Sequence, residues 1–232
     1  MFLTKVNYNY QSNDDDLVKR KNQFESMDFK SKLENRMSKP LPGVSAQNIM
    51  KAKMSTGEAI SFTHEGPPRQ GGVALLLYQE HGSWYFPLMK RPVYGGIHSG
   101  QISLPGGKLE SSDQNLVDTA LRETREELGL TIFNRQVIGS LTELYIVASH
   151  FNILPVVAVL DAKPVIAADE REVQQVIIAS VDELLLPHSS KEKKMLVRGH
   201  HLFAPYFEVE NEVVWGATAM ILNEFITIVR EI

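Results

Sequence analysis

The chain has 232 residues, 43% of them hydrophobic, which is enough to bury the core of one large domain. It contains no cysteine, and this excludes disulfides, thiol catalysis and thiolate metal sites. The formal net charge of −4 argues against a nucleic-acid partner, and the absence of any apolar run of about eighteen residues argues against a membrane span.

The first 26 residues are polar and include an acidic run at residues 14–16, so we predict a disordered tail before one domain over residues 27–232. Because this tail lacks an apolar core, we expect no signal peptide and a cytoplasmic protein. Phe29, Leu33 and Met37 recur every four residues and predict a short amphipathic helix over residues 28–37. A linker follows, with an edge strand predicted at residues 59–63.

The next segments alternate between apolar runs and turn residues. A hairpin is predicted from strands at residues 71–78 and 84–90, followed by a glycine-rich loop at 91–101 that would let the backbone approach a phosphate. Beyond residue 130 the predicted elements are strands at 136–147, 151–160 and 173–179, a helical turn at 181–186, a flexible basic segment at 189–194 and two short strands within 203–215. A closing helix over residues 216–230 would share one apolar face among Ala219, Leu222, Phe225, Ile226 and Val229.

The stretch from residue 104 to residue 130 reads LPGGKLESSDQNLVDTALRETREELGL. Its Pro105-Gly106-Gly107 predicts a turn through which no regular element continues. Asp113 suits the N-cap or first turn of a helix, apolar residues then recur at helical spacing, and Gly129 is a C-cap stop signal. The stretch therefore predicts a loop, a helix and a second loop.

The predicted helix carries a cluster of acids. Glu123, Glu126 and Glu127 stand at positions i, i+3 and i+4 and so share an arc of about 100°. Like charges this close raise one another's pKa unless a cation lies among them, and their hard oxygens suit Mg²⁺ or Mn²⁺ bridging to substrate phosphates. The alternative is a solvated helix face, salt-bridged to Arg122 and Arg125.

The surrounding pattern favours the metal site. Gly-Gly-Lys-x-Glu-x-x-Asp followed by Ala-Leu-Arg-Glu-x-x-Glu-Glu-x-Gly-Leu resembles the Nudix box. The resemblance implies the Nudix fold, of α/β (α+β) class with a mixed β-sheet sandwiched between α-helices, and hydrolysis of a nucleoside diphosphate linked to another group. Two departures, eight residues rather than seven between Asp113 and Arg122 and Thr124 at a usually aliphatic position, resemble the coenzyme A pyrophosphatase branch.

Segments outside the box also resemble that branch. Leu88-Met89-Lys90-Arg91 and the run from residue 96 to residue 107 resemble its additional signature, which is associated with the coenzyme A substrate. Residues 40–50 resemble its N-terminal lead-in, and residues 152–157 and 214–219 its C-terminal half. The resemblance implies a set of substrate-binding candidates: Arg91, His98, Gly100, Gln101, Gly106 and Gly107.

The resemblance also implies roles within the box. Mg²⁺ or Mn²⁺ would be held by Glu123, Glu126 and Glu127 with the backbone carbonyl of Gly107, and Arg122 would flank the site. Glu126 is the first choice for the general base and Glu172 the next to test, while Glu123 and Arg122 are the other catalytic candidates. A sequence does not separate base from ligand in such a cluster. In the charged loop at residues 169–172, Glu170 and Glu172 are candidates for a further carboxylate.

Three functions remain open. The first is hydrolysis of coenzyme A or a derivative to 3′,5′-ADP and 4′-phosphopantetheine, and the second is the same chemistry on ADP-ribose, NADH or a dinucleoside polyphosphate. The third is a non-catalytic Nudix module, against which the intact acid cluster argues, because a retired site has no need of mutually repelling acids. The expected partner is a small nucleotide substrate, with no nucleic acid and no membrane, and the sequence is compatible with a homodimer.

Overall fold

A computed structural model describes residues 28–56, 62–93, 98–197 and 199–232. The predicted tail at residues 1–26 lies outside this part, as do residues 59–61 of the predicted edge strand and residues 94–97 of the glycine-rich loop, while residues 62 and 63 are not in a strand. None of the helices within the described ranges is long and apolar enough to cross a membrane.

The helices are spread along the chain. The lead-in helix α1 covers residues 28–37, as predicted, and a single 3₁₀ turn lies at Asn134–Gln136. The remaining helices are α2 (Gly43–Ile49), α3 (Leu116–Leu128), α4 (Val181–Leu185) and α5 (Gly216–Val229).

The strands of the described residues form two sheets. The larger sheet contains β2 (Arg69–Glu80), β3 (Ser83–Lys90), β4 (Ile102–Ser103), β5 (Gly106–Lys108), β6 (Val137–Ser140), β7 (Leu144–Ile146), β8 (Phe151–Val159) and β9 (Gln175–Ser180). The smaller sheet contains β1 (Lys53–Met54), β10 (Ser190–Val197), β11 (His200–Val209) and β12 (Glu212–Trp215). Strands β2 and β8 are parallel and their other pairings are antiparallel, so the larger sheet is mixed.

The larger sheet is sandwiched between helices because β2 buries both of its faces. Ala74, Leu76 and Tyr78 join one apolar cluster with residues of α3, whereas Leu75 and Leu77 join a second cluster with residues of α5. Alternate residues of a strand point to opposite faces, so one continuous apolar run supplies both layers. The predicted fold class is therefore confirmed. All five residues predicted for the core face of α5 are also buried: Ala219, Leu222, Phe225, Ile226 and Val229.

The strand register fixes a row of residues that orients the site. Lys108 on β5 pairs with Gly71 on β2, Gly71 pairs with Ile153 on β8, and Ile153 pairs with Leu144 on β7. At about 4.8 Å between neighbouring strands, the row spans about 14 Å across the sheet. The glycine loop of residues 106–107 lies at one end of this row, and the segment before β7 lies at the other.

Three of the predictions for elements were wrong. Residues 189–194 were expected to be flexible, but Ser190–Val197 forms β10, which pairs along its whole length with β11. The single strand predicted at 136–147 is broken into the 3₁₀ turn, β6 and β7. Gly106–Lys108 was expected only to turn, but it forms β5 against β2. This close pairing requires glycine at residue 106, because an added Cβ would stand 2.5 Å from the Cα of Val73.

The caps of α3 were predicted in part. Gly129 ends the helix in a left-handed conformation with φ 68°, as expected for a C-cap glycine. The N-cap, however, is Asn115, whose side chain accepts hydrogen bonds from the amides of Val117 and Asp118, and not Asp113. Asp113 lies before the cap and turns towards Arg122 instead.

Candidate active site

A cavity of about 880 Å³ lies beside the glycine loop and the acidic face of α3. Four glutamates line it. Glu123, Glu127 and Glu172 form an acidic wall next to Gly106 and Gly107, and Glu143 lies apart from them with Asn152. Most of the remaining wall is apolar and comes from residues before and after the box, among them Val44, Met54, Ile146, Phe151, Leu202 and Met220. The cavity therefore has an acidic region beside the glycine loop, and most of the other residues that line it are apolar.

Glu127 is buried against the glycine loop, with 2% of the residue exposed. Its Oε2 accepts a hydrogen bond from the amide of Gly106 at 2.8 Å, and its Oε1 lies 3.8 Å from Nη2 of Arg91. Burial raises the pKa of Glu127 to about 8, and the Arg91 guanidinium and the Gly106 amide only partly oppose this shift. Without an added cation this carboxyl group therefore holds a proton near neutral pH.

Glu123 packs directly on Gly107. A Cβ added to Gly107 would stand 2.3 Å from Oε1 of Glu123, so a side chain at residue 107 would displace this carboxylate. Desolvation raises the pKa of Glu123, while its hydrogen bond with Arg122 opposes the shift. The second glycine of the loop is therefore required for the carboxylate to reach the backbone of β5.

Arg122 connects the acids of the box. Its Nε and Nη2 contact the carboxylate of Asp113, and its Nη1 lies 3.0 Å from Glu123 and 2.8 Å from Glu126. The hydrogen bond from Arg122 lowers the pKa of Asp113 to about 2, and the same contact raises the pKa of Arg122 above its ordinary value. The arginine thus neutralises part of a cluster whose members would otherwise repel one another.

The acids proposed from the sequence do not all reach the cavity. Glu126 has a side chain 47% exposed and, among the described residues, lies outside the cavity wall, as Glu170 does. Glu172 lies in the wall, and its charge contributes to raising the pKa of both Glu123 and Glu127. The assignment of Glu126 as base stays a prediction, and Glu172 is the acid of the charged loop that the fold brings to the cavity.

The acidic side chains offer the oxygen ligands that a divalent cation prefers, but their positions do not surround a single metal position. Carboxylate oxygens are hard donors that Mg²⁺ and Mn²⁺ accept, and two of the carboxyl groups have raised pKa values that a nearby cation would lower. In the part of the chain described, however, no group of three or more His, Asp or Glu side chains converges as a metal site. Glu123 is turned to Arg122, and the Gly107 carbonyl lies against Gly71 of β2. The metal ligands therefore remain a prediction.

Most of the predicted substrate contacts lie around the same cavity. Arg91, His98, Gln101, Gly106 and Gly107 all line it. Arg91 donates from Nη2 to the carbonyl of Gly106 at 3.2 Å, which places its guanidinium beside the acidic wall.

The loop before β4 holds two of these residues together. Nδ1 of His98 lies 3.1 Å from Oε1 of Gln101, and Gly100 adopts a left-handed φ of 65° between them. Gly100 does not line the described cavity. It shapes this turn, because a residue with a Cβ rarely adopts a left-handed conformation.

The sequence alone did not indicate several residues of the wall. In the described ranges, the buried side-chain atoms without a hydrogen-bond partner are Oγ of Ser103 and Oγ of Ser149, and both residues line the cavity. Buried hydroxyl groups normally have a partner, so these two are open to a ligand or to water. Nothing in their local sequence signals this role, since Ser103 reaches the wall through β4 and Ser149 through the turn between β7 and β8.

Known proteins are similar to the central part of this chain. The family model described as the NUDIX domain matches residues 68–198. The "Uncharacterized Nudix hydrolase NudL" of Pectobacterium atrosepticum is 31% identical over 129 residues, covering 55% of this chain and 66% of that protein. The "Mitochondrial coenzyme A diphosphatase NUDT8" of Homo sapiens is 36% identical over 130 residues, covering 54% of each chain. The match thus spans between about half and two thirds of the length of these relatives.

Among solved structures, the NUDIX domain of Shewanella oneidensis NrtR, complexed with ADP ribose, aligns with a TM-score of 0.44 and 16% identity, over 52% of this chain and 77% of that chain. The match of the family model covers more than half of the 232 residues and includes the glycine loop, α3 and the charged loop that forms the acidic wall. The chain belongs to the Nudix domain family.

Proposed function

We propose that this protein hydrolyses the pyrophosphate bond of coenzyme A or a derivative, giving 3′,5′-ADP and 4′-phosphopantetheine. The observation that carries the proposal is the lining of the cavity, in which Glu123, Glu127 and Glu172 lie beside the glycine loop and most of the other lining residues are apolar. Such a cavity suits a pyrophosphate that bears a long, weakly polar arm. The similarity to a coenzyme A diphosphatase and the residues 88–107 that resemble the branch signature support the same substrate class.

The residues of the acidic wall would have different roles in hydrolysis. Glu123, Glu127 and Glu172 would hold Mg²⁺ or Mn²⁺, with Glu126 joining them if its contact with Arg122 is exchanged for the metal. When bound, the cation neutralises phosphate charge and lowers the pKa of a coordinated water. Arg91, fixed beside Gly106, would clamp a phosphate group of coenzyme A.

The reaction itself transfers one phosphoryl group to water. The oxygen of water forms a bond to one phosphorus atom, the bridging oxygen leaves with the other phosphate, and a carboxylate accepts the proton of the water. We assign this base to Glu126, which lies outside the cavity wall as described, with Glu172 as the next residue because it lies in that wall. Either carboxylate must be ionised to accept the proton.

A substrate screen tests the proposal. The purified protein is incubated with Mg²⁺ or Mn²⁺ and with coenzyme A, dephospho-coenzyme A, ADP-ribose, NADH or a dinucleoside polyphosphate, and the products are identified by mass spectrometry. We expect the highest kcat/KM for coenzyme A, with 3′,5′-ADP and 4′-phosphopantetheine as products. A higher kcat/KM for ADP-ribose would reject the branch while keeping the Nudix chemistry, and no hydrolysis of any substrate would favour the non-catalytic module.

A further inference from the structure

A buried carboxyl group connects α2 and α5, two helices that lie outside the matched Nudix region. Glu224 of α5 is fully buried, at 0% exposure. Its Oε1 accepts hydrogen bonds from the amides of Gly43 at 3.1 Å and Thr142 at 3.3 Å, and its Oε2 accepts one from Nε2 of Gln47 at 2.8 Å. The family model covers residues 68–198, so both α2 and α5 lie outside it.

These contacts supply what α2 lacks in its own sequence. The helix begins after Pro42, which offers no side-chain cap, so the first-turn amide of Gly43 depends on Glu224 for an acceptor. Gln47 also donates to the carbonyl of Thr142 at 2.9 Å, and Asn223 donates to the carbonyl of Ala46 at 2.8 Å. A helix of 7 residues is too short to be stable alone, so these contacts hold it in place.

The helix held in this way is part of the cavity wall. Val44, Gln47, Asn48 and Lys51 of this segment line the cavity. Thr142, bound to Gln47, stands just before Leu144, which ends the row of strand pairs that begins at Lys108. The row places Leu144, on the side of Thr142 and α2, about three strand spacings, or about 14 Å, from Lys108 beside the loop that would hold the pyrophosphate. At that distance the wall meets the arm of a substrate and not its phosphates.

We propose that Glu224 is a positioning residue that sets substrate selectivity by holding α2 against the arm beyond the pyrophosphate. The proposal rests on the proposed function for the identity of that arm. Glu224 itself touches no substrate, because it is enclosed by Gly43, Gln47 and Thr142. Loosening α2 should therefore weaken the binding of long-armed substrates and leave the chemistry at the acidic wall unchanged.

The variant Glu224→Gln tests this with little change of volume. One accepting oxygen becomes an amino group, so either Gln47 or the two backbone amides lose an acceptor in a buried site. The matched control is Ile228→Val, which trims a buried residue of the same helix outside the described cavity wall. The measurements are kcat and KM for coenzyme A and for the shorter-armed ADP-ribose, with hydrogen exchange of the peptides that contain residues 43–50.

For Glu224→Gln we expect faster exchange in α2 and a KM for coenzyme A raised about tenfold, with kcat within about twofold and the KM for ADP-ribose nearly unchanged. Ile228→Val should alter none of these values by as much. An equal loss on both substrates, a loss confined to kcat, or unchanged exchange in α2 would overturn the proposal. If Glu224→Gln does not fold, Asn223→Leu removes the hydrogen bond to the carbonyl of Ala46 in α2 without changing a residue of the cavity wall. It should raise the coenzyme A KM selectively by a smaller factor, or the proposal fails.

If the proposed function is wrong, the results would differ from those that overturn the role of Glu224. In that case the unmodified protein does not hydrolyse coenzyme A, and the selectivity of Glu224→Gln is measured on the two best nucleoside diphosphate substrates with arms of unequal length. A selective loss on the longer arm supports the role of Glu224 independently, and equal effects on the two overturn it.

Discussion

The guanidinium of Arg122 is held by the carboxylate of Asp113 in a two-point contact, with Nε 2.9 Å from Oδ1 and Nη2 3.1 Å from Oδ2. Only 13% of the arginine side chain and 3% of the aspartate side chain are exposed. The remaining nitrogen, Nη1, reaches Glu123 and Glu126. Asp113 thus determines how Arg122 is oriented, and Arg122 in turn positions two acids of the candidate site.

Asp113→Asn should lower the free energy of unfolding by about 1.5–3 kcal/mol at pH 7, since a buried arginine loses a charged acceptor. The pKa of Asp113 is lowered from 3.8 to about 2, so its stabilisation is present above pH 3.8 and is lost as the pH falls towards 2. Urea unfolding at pH 7 and near pH 2 measures both effects, and the two proteins should converge in acid. Asp161→Asn, in an exposed pair with Arg135, is the control, and an equal loss there would contradict the prediction.

Glu127 should make the metal-free protein less stable as the pH rises. Its pKa is raised from 4.5 to about 8, so between these values the folded protein keeps a proton that the unfolded chain releases. The stabilisation is therefore complete below pH 4.5 and is lost as the pH rises towards 8. Melting temperatures in chelator from pH 5 to 8.5, compared with those of Glu127→Gln, measure this contribution. An identical pH dependence in the two proteins would place the raised pKa elsewhere.

Turnover should depend strictly on a divalent metal ion. Glu123 and Glu127 have raised pKa values because burial disfavours their charged forms, and a bound cation would restore those forms. Excess chelator should abolish hydrolysis, and Mg²⁺ or Mn²⁺ added beyond the chelator should restore it. Activity that persists undiminished in chelator would refute the metal-assisted reaction.

Glu126→Gln should fold normally and lose about 10²–10⁴-fold in kcat if Glu126 is the general base. Normal folding is expected because its side chain is 47% exposed. Glu172→Gln tests the alternative base in the cavity wall, and Glu170→Gln is the control from the same loop outside that wall. Each variant needs a thermal melt beside its kinetics. A loss below about tenfold for Glu126→Gln would move the assignment to Glu172.

Arg91→Ala should reduce the preference for coenzyme A more than it reduces activity on ADP-ribose. A guanidinium that clamps the 3′-phosphate, which dephospho-coenzyme A and ADP-ribose lack, contributes about 1.5–3 kcal/mol, which is roughly a ten- to hundredfold preference. The measurement is kcat/KM for coenzyme A, dephospho-coenzyme A and ADP-ribose, with Arg135→Ala as an exposed control. Equal losses on all three substrates would restrict Arg91 to its contacts with Gly106 and Glu127.

Local features were predictable from the sequence because they depend on residues close together in the chain. The 3.6-residue period of α3, the left-handed Gly129 at its end and the apolar face of α5 are all confirmed. The hairpin of β2 and β3 was predicted for the same reason, since a turn at Glu80–Ser83 separates two apolar runs. Asp113 was misplaced because an aspartate before a helix can either cap the helix or pair with a distant cation, and only the folded chain brings Arg122 to it.

By itself the sequence determined the family, the helix that carries the acids and the kind of atom those acids offer, since all three follow from residue type and spacing. Tertiary structure alone decided which acids share a cavity, because the placement of Glu172 beside Glu127 depends on pairing between strands far apart in the chain. It also decided that charged β10 is an ordered strand, since hydrogen bonds to β11 stabilise a segment whose own composition predicts none. Tertiary structure also decided the position of α2, because a helix of 7 residues depends on contacts with Glu224 and Asn223, about 180 residues later in the chain, and with Thr142.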